Sequence, residues 1–371
     1  MRILIAFSDT GGGHRAAANA LRAAFSQIAP EADVAMVDPY AISRWPFNRL
    51  SGAYPRVIGK AAWIWGTGFR LTNSRWCTAV AQAAAWPILR PAFDAIRREH
   101  SPDVIISTHP LLSAPLQRAF PDVPLVVVVT DLLSGHVSWY HRTVRLLVAP
   151  TEQARAHAMA SGVPADRTEV IGLPIMTPDP SMERRSDLVA TLGWSTDRPT
   201  ILLMGGGDGV GPMERIAEAI DAAQLPCDLA IVAGRNAVLA TRLRAREWHG
   251  TVHTYGFVSN VHQMLHAADA LITKAGPGTI CEAFAAGCPV VLYAAIPGQE
   301  TGNVRLVCES GAGVWAPTPD AVVNALRAWL TGPHAAEVRG RAANAAQALA
   351  RPHAATDIAA RVLEMAGASR Y

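Results

Sequence analysis

His14 follows three glycines, Gly11-Gly12-Gly13, and opens an alanine-rich run. A histidine in the first turn of a helix meets the positive end of the helix dipole, which disfavours the imidazolium. The neutral ring then remains available as a base near neutral pH. A histidine that only caps and packs the loop fits the same residues equally well. Asp131 ends the apolar run Leu125–Thr130, and His109 follows the run Val104–Ser107. Either could orient a ring or a substrate hydroxyl, and either could simply cap the turn that follows.

A second group lies between Lys274 and Asn303. Ala275-Gly276-Pro277-Gly278-Thr279 follows an apolar strand-like run and opens a helix, so backbone N–H groups and the helix dipole there favour an anion such as a diphosphate. Glu282, one turn in, is placed to accept hydrogen bonds from hydroxyls beside the phosphates. The later loop Pro297-Gly298-Gln299-Glu300 offers an amide and a carboxylate, as a many-hydroxyled sugar would require. Gly206 and Gly207, in a triple glycine after the run Ile201–Met204, allow close approach to phosphates because no side chain blocks them. Lys274 is one of two lysines in a chain that otherwise uses arginine, and it immediately precedes the anion loop. No Asp-x-Asp occurs, so no carboxylate-held metal is expected on the diphosphate, and helix dipole and backbone amides are left to stabilise it.

The elements that must position these residues repeat one plan. Arg2–Phe25 reads as strand, glycine loop and helix, and Thr200–Ile220 repeats it. Further strands are expected at Val34–Val37, Val104–Ser107, Leu125–Thr130 and Leu146–Ala149, then at Leu229–Ala233, Thr251–Tyr255, Ala270–Thr273 and Pro289–Tyr293. Strands alternating with helices imply parallel sheets covered on both faces. The expected fold is α/β, with two doubly wound Rossmann-like domains, 1–176 and 177–371, facing across a cleft where ligands bind beyond the strands' carboxyl ends. Pro174, Pro178 and Pro180 mark the boundary, and the last helix is a candidate to pack back on the first domain.

Composition narrows the setting. With 371 residues, half of them apolar, the chain suits two domains of about 150 to 200 residues each. No apolar run approaches the roughly 20 residues needed to span a bilayer. Met1–Phe7 reads as a first strand, so a signal peptide is not expected and the chain is assigned to the cytoplasm. The five cysteines lack C-x-x-C spacing and are read as reduced structural thiols. From Ala41 to His100 nine basic residues stand against two acids, with five tryptophans, Trp63 and Trp65 among them. Such a stretch suits an anionic membrane surface, where tryptophan lies at headgroup level and each arginine contributes about 1 kcal/mol. Core tryptophans beside a solvated basic face are the bland alternative. No nucleic-acid partner is expected.

GPGT, its helix with Glu282, and PGQE followed by Asn303 resemble the donor half of the diacylglycerol glycosyltransferases. That family comprises the monogalactosyldiacylglycerol synthases and processive glucosyltransferases, relatives of the lipid II GlcNAc transferase. GGGH at 11–14, THPL at 108–111, TDLLSGHVSWY at 130–140 and AGRN at 233–236 extend the resemblance over nearly the whole chain, in the family's order. The resemblance implies the GT-B fold and, at His14 beside Gly13, the catalytic base; Asp131 is placed at the same site by its position at a strand end. It implies acceptor-side aromatics at Trp139 and Tyr140, packing against glycerol or acyl chains. Gly256, Phe257 and Val258 resemble the uracil pocket, with Arg235 nearby, and Gln299 and Glu300 would hold sugar hydroxyls.

The expected activity is therefore an inverting, metal-free transfer of galactose or glucose from a UDP-sugar to diacylglycerol, without a cofactor, by a protein attached to the inner face of the cell membrane. Three rivals remain. A GlcNAc transferase acting on another lipid-linked acceptor would share most of these motifs. A nucleotide-sugar-binding partner subunit would share the donor loops. Gly11-x-Gly13-x-x-Ala16 with Asp38 imitates a dinucleotide fingerprint, but that reading leaves PGQE without a purpose.

Overall fold

The computed structural model describes all residues except 10, 11, 50–65, 70, 134, 177–183 and 369–371. Trp63 and Trp65 therefore lie outside the described residues. The chain divides into two compact units.

The first unit contains residues 1–176, the segment Pro297–Gly302 and the chain from Pro352 onward. Its sheet consists of β1 (Arg2–Ala6), β2 (Asp33–Val37), β3 (Val104–Ser107), β4 (Leu125–Val128), β5 (Leu146–Ala149) and β6 (Thr168–Val170). All six are parallel, in the order β2-β1-β3-β4-β5-β6. The central strands ILIA, VIIS, LVVV and LLVA are uninterrupted apolar runs because helices cover both faces. On one face the helix Gly13–Ile28 buries Leu21 and Phe25, and beside it the C-terminal helix Ala354–Ala368 buries Ile358, Ala359, Val362 and Met365. Ile358, Val362 and Met365 together contribute roughly 5 to 9 kcal/mol of gross burial, an upper bound. The bidentate pair that Arg361 of this helix makes with Glu169 of β6 is over a third exposed and contributes at most about 1 kcal/mol, so the apolar stripe fixes this helix.

The second unit holds β7 (Thr200–Met204), β8 (Asp228–Val232), β9 (Val252–Tyr255), β10 (Ala270–Lys274), β11 (Val290–Ala294) and β12 (Gly313–Trp315). They are again parallel, ordered β12-β11-β10-β7-β8-β9. Ile201, Leu203, Ile231 and Ile272 form its core with Ile216, Leu326 and Trp329 from flanking helices.

Both sheets have the doubly wound plan, and each has a switch point where the chain reverses its direction of winding. In the first sheet it lies between β1 and β3, so the loops carrying His14 and His109 open from it. In the second it lies between β7 and β10, which places the triple glycine and the GPGT loop side by side.

Candidate active site

The first unit's site is built on the β1 loop. Gly12 caps the helix Gly13–Ile28 with φ 81°, a left-handed backbone that glycine adopts without strain. His14 follows in the first turn. Its Nδ1 lies 2.7 Å from the Thr108 carbonyl and 3.2 Å from the Thr130 hydroxyl. A carbonyl only accepts, so Nδ1 carries the proton and Nε2 keeps its lone pair. The Thr108 hydroxyl donates back to the His14 carbonyl at 3.0 Å. Burial lowers the His14 pKa to about 4, against a smaller upward effect of the Thr108 bond. The ring is neutral throughout the physiological range for that reason, with desolvation as the leading cause.

His109 closes the site from β3. Its ring meets that of His14 edge-on, with centroids 4.6 Å apart, and it is almost fully buried. Its Nδ1 accepts from the Leu111 N–H, leaving the proton on Nε2. Burial, then the neighbouring His14, holds its pKa well below the usual imidazole value.

Asp131 follows β4 and accepts from the Trp139 indole N–H at 2.7 Å. Burial pushes its carboxyl up to about 7; the Trp139 bond lowers it, and the Glu300 charge raises it again. Glu300 is 4% exposed and belongs to the segment grouped with this unit. The start of that segment rests on the helical turn 66–69, where a Cβ added to Gly66 would stand 2.9 Å from Pro297 and one at Gly298 would stand 3.3 Å from Phe69.

Trp139 and Tyr140 depart from expectation. Their exposures are 0% and 4%, so neither ring offers a face to an acyl chain without moving. They are core side chains of the first unit, and Trp139 holds Asp131 through its N–H. Gly13, by contrast, is exposed, with nothing within 4 Å of a Cβ built on it. Thr108 and Thr130, which orient His14, were not anticipated.

In the second unit the helix Pro277–Ala285 begins behind β10 with no side-chain cap. Proline at its first position forfeits an N–H that a helix start leaves unpaired anyway. The N–H groups of Gly278 and Thr279 fall in the first turn, where a helix leaves them without an intrahelical partner, a setting that suits an anion. Across the switch point Gly206, with φ 71°, lies against the Lys274 stem, and Gly207 lies against the Arg235 guanidinium. Arg235 pairs with Asp208 at 2.8 Å and stands over the Phe257 ring at 5.7 Å. Phe257 is 64% exposed, between the half-buried Gly256 and Val258, as a platform for a planar base would be. Burial raises the Glu282 pKa to about 7, a carboxyl that needs donors to stay ionised.

Asn303, expected among the donor-binding residues, is 2% exposed, and its amide donates to the Ala275 carbonyl at 2.8 Å, so that N–H braces the GPGT loop. Gln299 is half-buried. The five cysteines are free thiols. No helix among the described residues is long and apolar enough to cross a membrane.

Two doubly wound parallel sheets, one with a neutral buried histidine and the other with a glycine-rich loop pair beyond its strands' carboxyl ends, are the plan of the GT-B fold of glycosyltransferases. A crystal structure of Acinetobacter baumannii MurG shares that fold, with TM-score 0.62 and 17% identity over 98% of this chain and all of that one. The model of the family "Monogalactosyldiacylglycerol (MGDG) synthase" matches residues 14–175, and that of "Glycosyl transferases group 1" matches residues 191–348. The probable monogalactosyldiacylglycerol synthase 2, chloroplastic, of Oryza sativa subsp. japonica is 37% identical over 96% of this chain and 79% of its own length. Monogalactosyldiacylglycerol synthase 3, chloroplastic, of Arabidopsis thaliana is 33% identical over the same shares. The chain belongs to the monogalactosyldiacylglycerol synthase family.

Proposed function

We propose that this protein transfers a hexose, galactose in preference to glucose, from a UDP-sugar to the free hydroxyl of 1,2-diacylglycerol. The observation that carries the reading is the His14 tautomer: Nδ1–H is committed to the Thr108 carbonyl, so Nε2 is the free basic atom. Nε2 takes the acceptor hydroxyl's proton as that oxygen attacks the anomeric carbon and UDP departs from the opposite face. A base with a pKa of about 4 does this in the transition state and not before it, when the hydroxyl has become acidic by forming the new C–O bond. Inversion at the anomeric carbon follows from a single displacement.

The leaving diphosphate is stabilised by the start of the helix Pro277–Ala285, by Gly206 and Gly207, and by Lys274. No metal enters this scheme, and retained activity in EDTA is its expected consequence. Ribose hydroxyls would supply the donors that Glu282 requires, while Phe257 carries the uracil. Gln299 and Glu300 are assigned to the sugar hydroxyls. Galactose is favoured because the relatives at 33% and 37% identity are named for monogalactosyldiacylglycerol.

The acceptor lies in a bilayer, and the helix Arg75–Glu99 offers a means of reaching it. Its buried residues, Leu89, Ala92, Phe93 and Ile96, all fall in the second half. Trp76 and Val80 in the first half are 75% and 49% exposed, near Leu71 at 71%. Between Arg75 and Arg90 the sequence carries no charge. We assign this half-helix to an anionic membrane surface on the cytoplasmic side. Incubation of the purified chain with diacylglycerol liposomes and each of UDP-galactose, UDP-glucose and UDP-GlcNAc tests the whole reading. A glycolipid formed fastest from UDP-galactose is expected, and UDP-GlcNAc as the sole productive donor would overturn it.

A further inference from the structure

β11 has one residue more than β10 can match. Leu271 pairs with Val290, Ile272 with Val291 and Thr273 with Leu292, but Lys274 pairs with Ala294, so Tyr293 is skipped. On the other side, pairing with β12 stops at Leu292 and Trp315. Tyr293 is therefore the extra residue of a β-bulge, a feature that re-aims a side chain.

The ring is 3% exposed and packs in the core of the second unit, yet its hydroxyl leaves that core. It donates to the Val210 carbonyl at 2.7 Å. Val210 lies in the loop after β7, and β7 stands two places from β11 in the sheet, with β10 between. The bond thus spans roughly 10 Å of sheet edge, two strand spacings. Gly211, at φ 109°, lets the ring approach: a Cβ there would come within 2.6 Å of Tyr293 Cε2. Val210 N–H in turn donates to the Gly205 carbonyl at 3.1 Å, closing the turn whose tip is Gly206-Gly207. The same bulge sets Lys274 opposite Ala294, whose carbonyl accepts from the Ala275 N–H at 2.7 Å at the base of GPGT.

One skipped residue therefore fixes three parts of the anion site. We propose that Tyr293 is a positioning residue for a nucleoside diphosphate: its hydroxyl holds the Gly205–Val210 turn in register with Lys274 and the helix start at Pro277. This rests on the reading of Gly206, Gly207 and GPGT as the diphosphate site.

Tyr293→Phe keeps the ring and removes only the hydroxyl. For the full chain, the Kd for UDP by titration calorimetry and the KM for the UDP-sugar should each rise about tenfold, or about 1.4 kcal/mol. kcat should stay within about threefold, since the hydroxyl touches no reacting atom. Gly211→Ala, which displaces the ring from the opposite side, should raise the same two constants. An unchanged UDP Kd in Tyr293→Phe overturns the proposal, whether or not its Tm falls, because a purely structural hydroxyl would affect only the latter. So does a loss confined to kcat. If the parent chain itself fails to bind UDP, it is the donor-site reading that falls.

Discussion

His14 and Thr108 hold each other by both of their polar ends: the imidazole Nδ1–H donates to the Thr108 carbonyl at 2.7 Å, and the Thr108 hydroxyl donates to the His14 carbonyl at 3.0 Å. The first bond selects the tautomer and the second fixes the backbone that carries the ring. His14→Ala should abolish glycosyl transfer while UDP affinity stays within about threefold, since His14 belongs to a different unit from the diphosphate loops. Thr108→Val keeps the carbonyl and loses the hydroxyl bond, worth about 1 kcal/mol, and should lower kcat by roughly threefold to tenfold. Thr108→Ser should restore it. Near-normal turnover by His14→Ala would remove the base from the mechanism.

Asp131 and His14 respond to pH with opposite signs. The folded Asp131 carboxyl titrates at about 7, whereas an unfolded aspartate titrates at about 4. Between those values the folded chain binds the extra proton, so this group's contribution to stability falls as pH rises and stays low above 7. The folded His14 titrates at about 4 against about 6.5 unfolded. There the unfolded chain binds the extra proton, and stability rises with pH across the window. The two slopes oppose each other from about pH 4 to 6.5. Asp131→Asn, whose amide oxygen still accepts from Trp139, removes one of them. The variant should gain stability relative to the parent between pH 5 and 8, by up to a few kcal/mol at the upper end of that range. Urea denaturation at pH 5, 6.5 and 8 measures this, and a pH-independent difference would contradict it.

The central strands were legible because buried parallel strands are written as unbroken apolar runs; VIIS and LLVA fall at the expected residues. β6 and β12 were missed for the converse reason. TEV and GVW are three-residue edge strands, with a glutamate or a glycine where an apolar run would be read. At the candidate site, residue type singled out His14, the glycines and Phe257. It did not reveal Thr108, which acts through a backbone carbonyl brought in from 94 residues away and available from any side chain. Trp139 shows a further limit: an aromatic in a polar loop reads alike whether it faces a ligand or, as here, turns inward to hold a carboxylate. Tyr293 was invisible because a strand register is a property of two segments.

Gly135 should tolerate no side chain. A Cβ there would stand 2.7 Å from the Tyr140 hydroxyl and 2.8 Å from Trp139 Cδ1, and both rings are buried. Overpacking of this kind costs about 1 to 3 kcal/mol. Gly135→Ala should therefore lower Tm by roughly 2 to 12 °C, at about 2 to 4 °C per kcal/mol for a unit of this size. Because the strain falls on the ring that holds Asp131, turnover should drop with it. A variant with unchanged Tm would mean that the loop yields and the Trp139 position does not depend on glycine.

Phe257 gives the cleanest separation of binding from folding. It is 64% exposed, with Arg235 above one face at 5.7 Å, so the folded chain loses little when the ring is removed. A uracil stacked on it would lose an aromatic contact worth about 0.5 to 1.5 kcal/mol beyond area burial. Phe257→Ala should weaken UDP binding by roughly 5- to 20-fold and leave Tm within about 2 °C, since surface substitutions usually stay within about 0.5 kcal/mol. Phe257→Tyr should bind like the parent, because the ring face is what matters. Equal UDP affinity in the alanine variant would place the base elsewhere on the second sheet's carboxyl edge. A large fall in Tm would show that the ring supports Arg235 and the Asp208 turn instead of a ligand.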